Sequence, residues 1–140
     1  MNIQKVKPPA ALELLYTPCL AMLSELNQDT MTRAIRNSEW VWIGDVDGEV
    51  FGFWGLIPPT LCSDRAYLWF YSTDHLSRHL FAFVRRSRVV TEELLGHYPI
   101  LVGHGRASDE RSLRWLRWCG AEFSEPVANG ALVPFEIRSV

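Results

Sequence analysis

Residues 107–123, Ala-Ser-Asp-Glu-Arg-Ser-Leu-Arg-Trp-Leu-Arg-Trp-Cys-Gly-Ala-Glu-Phe, spell a short helix with a start signal, a stop signal and a strand directly behind it. Ser108 or Asp109 can accept hydrogen bonds from the free N–H groups of the first turn. Asp109 and Glu110 suit its positive pole, and Gly120 can take the left-handed conformation that ends it. Arg111, Arg114 and Arg117 share the helix with Leu113, Leu116, Trp115 and Trp118. Just before it, Ile100 to Val102 reads as a short buried strand. Just after it, residues 121–126 and 131–137 read as two last strands around Asn129-Gly130, a dipeptide suited to a tight hairpin turn.

Upstream, Leu76, Leu80, Phe83, Val84, Val90 and Leu94 recur at three- and four-residue steps, which predicts a helix over 75–95 closed by Gly96. Before it, Ala66 to Ser72 is a run of large apolar side chains, the pattern of a central strand covered on both faces. Trp40 to Ile43 and Glu49 to Ile57 flank Asp47-Gly48, so they pair as an antiparallel hairpin; Gly52 and Gly55 within the second strand point to a bulge or a close backbone approach. Ile3 to Val6 reads as a first strand, Pro9 to Leu26 as a helix interrupted at Pro18, and Thr30 to Asn37 as a second short helix. The order is strand, helix, helix, hairpin, long strand, long helix, strand, helix, hairpin, in one domain spanning residues 1–140.

Composition bounds the function. With 140 residues, 48% hydrophobic and 12% aromatic, the chain can fill a core, which excludes a tail or a fibre. A net charge of −2 gives no global attraction to nucleic acid or to an anionic membrane, so any anion site must be local. No apolar run is long enough to span a bilayer, and the first residues, with Lys5, Lys7, Pro8 and Pro9, do not read as a signal peptide. Cys19, Cys62 and Cys119 are odd in number and widely spaced, which fits reduced thiols in a cytoplasm.

The element order resembles the GCN5-related N-acetyltransferase (GNAT) superfamily. The residues that carry this are the hairpin Trp40 to Gly55, the strand 66–72 and the stretch from Asp109 to Phe123, whose Gly120-Ala121-Glu122-Phe123 is similar to the family's glycine-aromatic ending. More narrowly, Trp69 to Thr73, the arginine-rich helix and Arg111 to Trp118 resemble a small family of acetyltransferase-like and internal virion proteins encoded by T7-like tailed bacteriophages. The resemblance implies a mixed, mostly antiparallel sheet flanked by helices, an α/β (α+β) fold. It also implies acetyl-CoA, or another acyl-CoA, as cofactor, a host bacterial protein as partner, and residence in the cytoplasm of the infected host or in the virion.

By the same resemblance, the main chain of Phe70, Tyr71, Ser72 and Thr73 would bind the pantetheine arm, and the pyrophosphate would rest near Ser77, Arg78, His79 and Leu80. A helix N-terminus offers unpaired donors and partial positive charge for such a group. The family's loop is glycine-rich; here no glycine stands between Gly55 and Gly96, so the side chains of Arg78 and His79, joined by Arg111, take over phosphate contact. Leu116 occupies the place of the family's catalytic tyrosine. Tyr71, with Tyr67 or Cys119 as substitutes, is then the candidate proton donor, and Glu49, ahead of Glu39, the candidate base.

Other signals are weaker. His75 and His79 stand four apart, but no further ligand completes a set, so no metal site is assigned. The arginines serve as a solvated face or as phosphate contacts. Trp54, Trp69 and Trp115 suit buried positions, whereas Trp40, Trp42 and Trp118 suit a partner-facing patch. An exposed last strand together with those tryptophans would allow a homodimer. Two functions remain open: an acyltransferase acting on an amine of a host protein or small molecule, or a catalytically degenerate domain that binds and modulates a host protein or is packaged in the virion.

Overall fold

The hairpin that Asp47-Gly48 predicts is present, and its geometry shows why. Asp47 and Gly48 both take positive φ, at 52° and 84°, and the Gly48 N–H donates to Asp45 Oδ2 at 3.1 Å. The computed structural model describes residues 1–59 and 63–139, so Cys62 lies outside the described residues. Seven strands follow the order β1-β2-β3-β4-β5-β7-β6, and the chain divides into two compact units, Met1–Pro58 with Trp69–Ala82, and Pro59–Leu68 with Phe83–Val140. The strand β4 (Arg65–Ser72) and the helix α3 (Leu80–His97) each run from one unit into the other.

In the first unit, β1 (Asn2–Val6) pairs antiparallel with β2 (Trp40–Val46), which pairs with β3 (Glu49–Ile57). Val41, Trp42, Ile43 and every residue from Phe51 to Leu56 are buried, so this hairpin is the core of the unit. The expected bulge is present in β3: Gly44 pairs with Gly52 and Asp45 with Val50, which leaves Phe51, beside Gly52, as the extra residue. Gly52 and Gly55 also provide the close approach: a Cβ on Gly55 would stand 2.6 Å from the Trp69 ring, and one on Gly52 would stand 3.0 Å from the Tyr71 carbonyl oxygen. The Trp69 Nε1–H donates to Ser38 Oγ at 2.8 Å, while Ser38 Oγ donates to the Ala34 carbonyl at 2.8 Å.

The helix expected over Pro9 to Leu26 is cut short. α1 (Pro8–Tyr16) ends ahead of Pro18, a 3₁₀ turn covers Leu20–Met22, and α2 (Glu25–Asn37) starts five residues before Thr30 because Ser24 caps it, accepting from the Asn27 N–H at 3.3 Å. Trp40 and Trp42 do not form a partner-facing patch: Trp42 is buried, and Lys7 Nζ sits 3.9 Å above the Trp40 ring.

In the second unit, β5 (Ile100–Arg106) pairs parallel with β4 and, along its whole length, antiparallel with β7 (Leu132–Arg138); β6 (Glu122–Phe123) borders β7. α4 (Glu110–Trp118) packs Leu113 into the space left by Gly105, where a Cβ would lie 2.7 Å from Leu113 Cδ2. The Trp115 ring meets Phe83 of α3 at 5.3 Å, and the Trp118 ring lies under the Arg88 guanidinium at 3.8 Å. Asp109 is the cap the sequence called for, accepting from the Ser112 N–H at 3.1 Å, and Gly120 has φ 101°. Gly96 does not close α3, which runs through it to His97 and stops at Pro99.

Two expectations follow. Gly55→Ala should destabilise the protein by about 1–3 kcal/mol, read from urea denaturation, since the indole it would strike is held by Ser38 and cannot retreat. Asp109→Ala should cost about 1 kcal/mol at neutral pH. Ser112, through its side chain and then its N–H, holds the Asp109 carboxyl below the usual carboxylate range. This stabilisation is therefore present above the carboxyl's unfolded pKa and is lost as pH falls through the lower folded value. The stability gap between wild type and Asp109→Ala should close on acidification across that window.

Candidate functional site

Beyond Trp69, β4 carries Phe70, Tyr71 and Ser72 to the point where the chain leaves the sheet, and Thr73 fixes that exit. The Thr73 N–H donates to the Phe51 carbonyl at 3.0 Å, its Oγ1 donates to the Val50 carbonyl at 2.6 Å, and the same Oγ1 accepts from the His75 N–H at 3.2 Å. A 3₁₀ turn over Asp74–Arg78 follows, where the sequence predicted α-helix from His75, and α3 begins only at Leu80. The turn uses the N–H groups of Leu76 and His79 on the Thr73 and Leu76 carbonyls, and the Ser77 hydroxyl on the Asp74 carbonyl.

The structure thus brings together in the first unit Phe70, Tyr71, Ser72, Thr73, Ser77, Arg78, His79, Leu80 and Glu49, the residues nominated for cofactor and catalysis. Glu49 Oε2 lies 2.7 Å from His75 Nδ1 and 3.9 Å from an Arg78 guanidinium nitrogen. A carboxylate engaged in this way ties the start of β3 to the turn. His75 was considered in the sequence only as a metal ligand, and its pairing with a strand residue 26 positions upstream has no local signal.

The aromatic residues of β4 divide by strand alternation. Phe70 stacks on Trp54 at 5.6 Å, whereas Tyr71 leans on Phe53 at 5.1 Å. Burial, then the neighbouring Cys19 and Asp74, raise the Tyr71 phenol above its ordinary pKa, which keeps it protonated and able to donate. Burial likewise pushes the Cys19 thiol up to about 11.

Arg111 sits exposed in the first turn of α4, in the second unit. Leu116 is buried there, so α4 offers no phenol at that place. Cys119, at the end of α4, borders a cavity of about 500 Å³ lined also by Arg88, Trp118, Glu122 and Arg138, and none of the nominated residues lines it. Burial raises the Cys119 thiol against the lowering effect of Thr91, Ser87 and Arg88, so it too stays protonated. Sequence reasoning missed one pairing in this unit: the Tyr67 Oη and His104 Nδ1 lie 2.9 Å apart. Among the described residues no three His, Cys, Asp or Glu side chains cluster, and no helix is long and apolar enough to cross a membrane.

By sequence the chain matches no protein-family model and no curated protein. Solved structures do match it over almost its whole length. A Bacillus subtilis acetyltransferase in complex with CoA superposes with a TM-score of 0.71 at 11% identity, covering 99% of both chains. The fold is that of the GNAT acetyltransferases. A Desulfovibrio desulfuricans protein assigned to the GNAT family gives a TM-score of 0.70 at 10% identity over 98% of each chain. A mutant spermidine N-acetyltransferase of Vibrio cholerae gives 0.62 at 12%, covering 99% of this chain and 95% of the other.

The Thr73 anchor has a measurable consequence. Thr73→Val keeps the shape of the side chain but removes both hydroxyl bonds, which should lower stability by about 1–2 kcal/mol. Backbone amide exchange at His75 and Leu76 should rise by more than that global loss explains.

Proposed function

We propose that this chain is a CoA-dependent N-acyltransferase that passes an acetyl or related acyl group to an amine. The observation that carries this is the brevity of the parallel β4–β5 pairing, which covers Arg65↔Ile100, Ala66↔Leu101 and Tyr67↔Val102 while β4 itself continues to Ser72. Past Tyr67, the strand has main-chain groups outside that ladder, and it leads through the Thr73 anchor into the start of α3. An extended amide-bearing arm suits the first feature, and a pyrophosphate suits the second.

The residues present fit such a group without a glycine-rich loop. Phe70 to Ser72 would supply main-chain donors and acceptors, while both main-chain groups of Thr73 are already engaged, the positive pole of α3 suits an anion, and Arg78, with its side chain 70% exposed, adds charge and His79 a hydrogen bond. When bound, the thioester supplies an acyl carbon activated toward nitrogen attack. Tyr71, kept protonated, is placed to give its proton to a departing sulfur, and Glu49 acts by holding His75 and Arg78 in position. The acceptor is an amine of a bacterial host protein or of a small molecule, a reading that rests on the likeness of Trp69 to Thr73 and Arg111 to Trp118 to phage-encoded proteins.

A second reading is favoured by Leu116: with a buried leucine at the place where the resemblance implies a catalytic tyrosine, the domain would keep CoA affinity or partner binding without turnover. Isothermal titration with CoA tests the proposal. Micromolar affinity is expected, and Arg78→Ala should weaken it about tenfold, or ~1.4 kcal/mol. Absence of binding heat and of any thermal shift at millimolar CoA would overturn it.

A further inference from the structure

Tyr67 is the last β4 residue in register with β5, facing Val102, and His104 lies two residues further along β5 on the same side of the sheet. The other side is apolar: Leu101, Phe135 and Ile137 are buried, and α4 fills the space over Gly105. The side bearing Tyr67 is polar, with Arg65, His104 and Arg106 exposed and Glu136 paired to both Arg65 and Arg138. A hydroxyl and an imidazole on neighbouring strands, 2.9 Å apart with ring centroids 5.7 Å apart, therefore sit where the parallel ladder ends, one half-buried and the other open to solvent.

We infer that Tyr67 and His104 form the proton-accepting pair of the acyl transfer, a role that rests on the acyltransferase reading above. Tyr67 donates to Nδ1 of neutral His104. As the acceptor nitrogen bonds to the thioester carbonyl carbon and the carbon–sulfur bond breaks, Tyr67 Oη takes the proton shed by that nitrogen while passing its own to Nδ1. His104 becomes imidazolium and then releases the proton to solvent, from which Tyr71 regains the one it gave to the departing sulfur, so the products are an amide and a thiol. This arrangement needs no carboxylate, which leaves Glu49 free to clamp the turn.

The test uses the full chain with acetyl-CoA, following thiol release with water and with spermidine as acceptors, beside calorimetry with CoA. Tyr67→Phe and His104→Ala should each lower kcat about 100-fold or more with CoA affinity unchanged, and imidazole added to His104→Ala should restore part of the rate. In the protein without acetyl-CoA, the ¹⁵N resonance of His104 Nδ1 should move in Tyr67→Phe, which keeps the ring and so the fold. Turnover within twofold of wild type in both variants, no rescue by imidazole, or an unmoved Nδ1 resonance would each overturn the pair. A wild-type chain that binds no CoA, or binds it and releases no thiol, fails the acyltransferase reading itself, whereas a wild-type chain that turns over while both variants keep its rate fails the pair alone.

Discussion

The indole of Trp69 occupies a gap that exists only because residue 55 has no side chain, and its N–H is tied to Ser38, which is in turn bonded to the α2 main chain. This contact fixes the height and angle of β4 against β3. Phe70 and Tyr71 follow by alternation, one stacked on Trp54 and the other on Phe53. Thr73 then reaches the Phe51 and Val50 carbonyls. Without the indole in place, none of the residues downstream would leave the sheet at a defined point. A buried hydrogen bond of this kind contributes modestly when made and costs more when one partner is lost, so it specifies geometry more than it adds stability.

The turn after Thr73 reaches the start of α3 without glycine. A glycine-rich loop lets the backbone itself come close to a phosphate. Here a 3₁₀ turn spends the N–H groups of Leu76 and His79 internally, on the Thr73 and Leu76 carbonyls. Besides the Thr73 N–H on the Phe51 carbonyl, the turn is positioned by two side-chain groups that join it to the β3 strand, the Thr73 hydroxyl and the Glu49 carboxylate. The first is uncharged and partly buried, while the second is exposed on both sides and correspondingly weaker.

Much of the fold was readable in advance because its signals are local. Asp47-Gly48, Asp109 with Ser112, and Gly120 each satisfy a backbone requirement within four residues, and β2, β3, β4 and α4 followed. The stop at Gly96 did not, because a glycine near a helix end is only permitted to terminate it, and Pro99 sets the limit instead. The break between α1 and α2 was misplaced because Ser24, an ordinary cap, lies inside an apolar periodicity that runs on to Leu26. Within the site, the residues of 70–80 were nominated through the resemblance, from their place at the end of the central strand and the start of the helix behind it. The His75–Glu49 and Tyr67–His104 pairs were not, since each joins residues 26 or more apart whose meeting depends on strand register rather than on any motif.

The Glu49 carboxylate beside Arg78 sets a threshold for what can settle on the turn. Any incoming anion competes with a negative charge already in place, so a weakly basic or singly charged species gains little by exchanging with it. With both side chains more than half exposed, the pair is readily exchanged in water, so the carboxylate tempers the positive field of the turn without locking Arg78 to it.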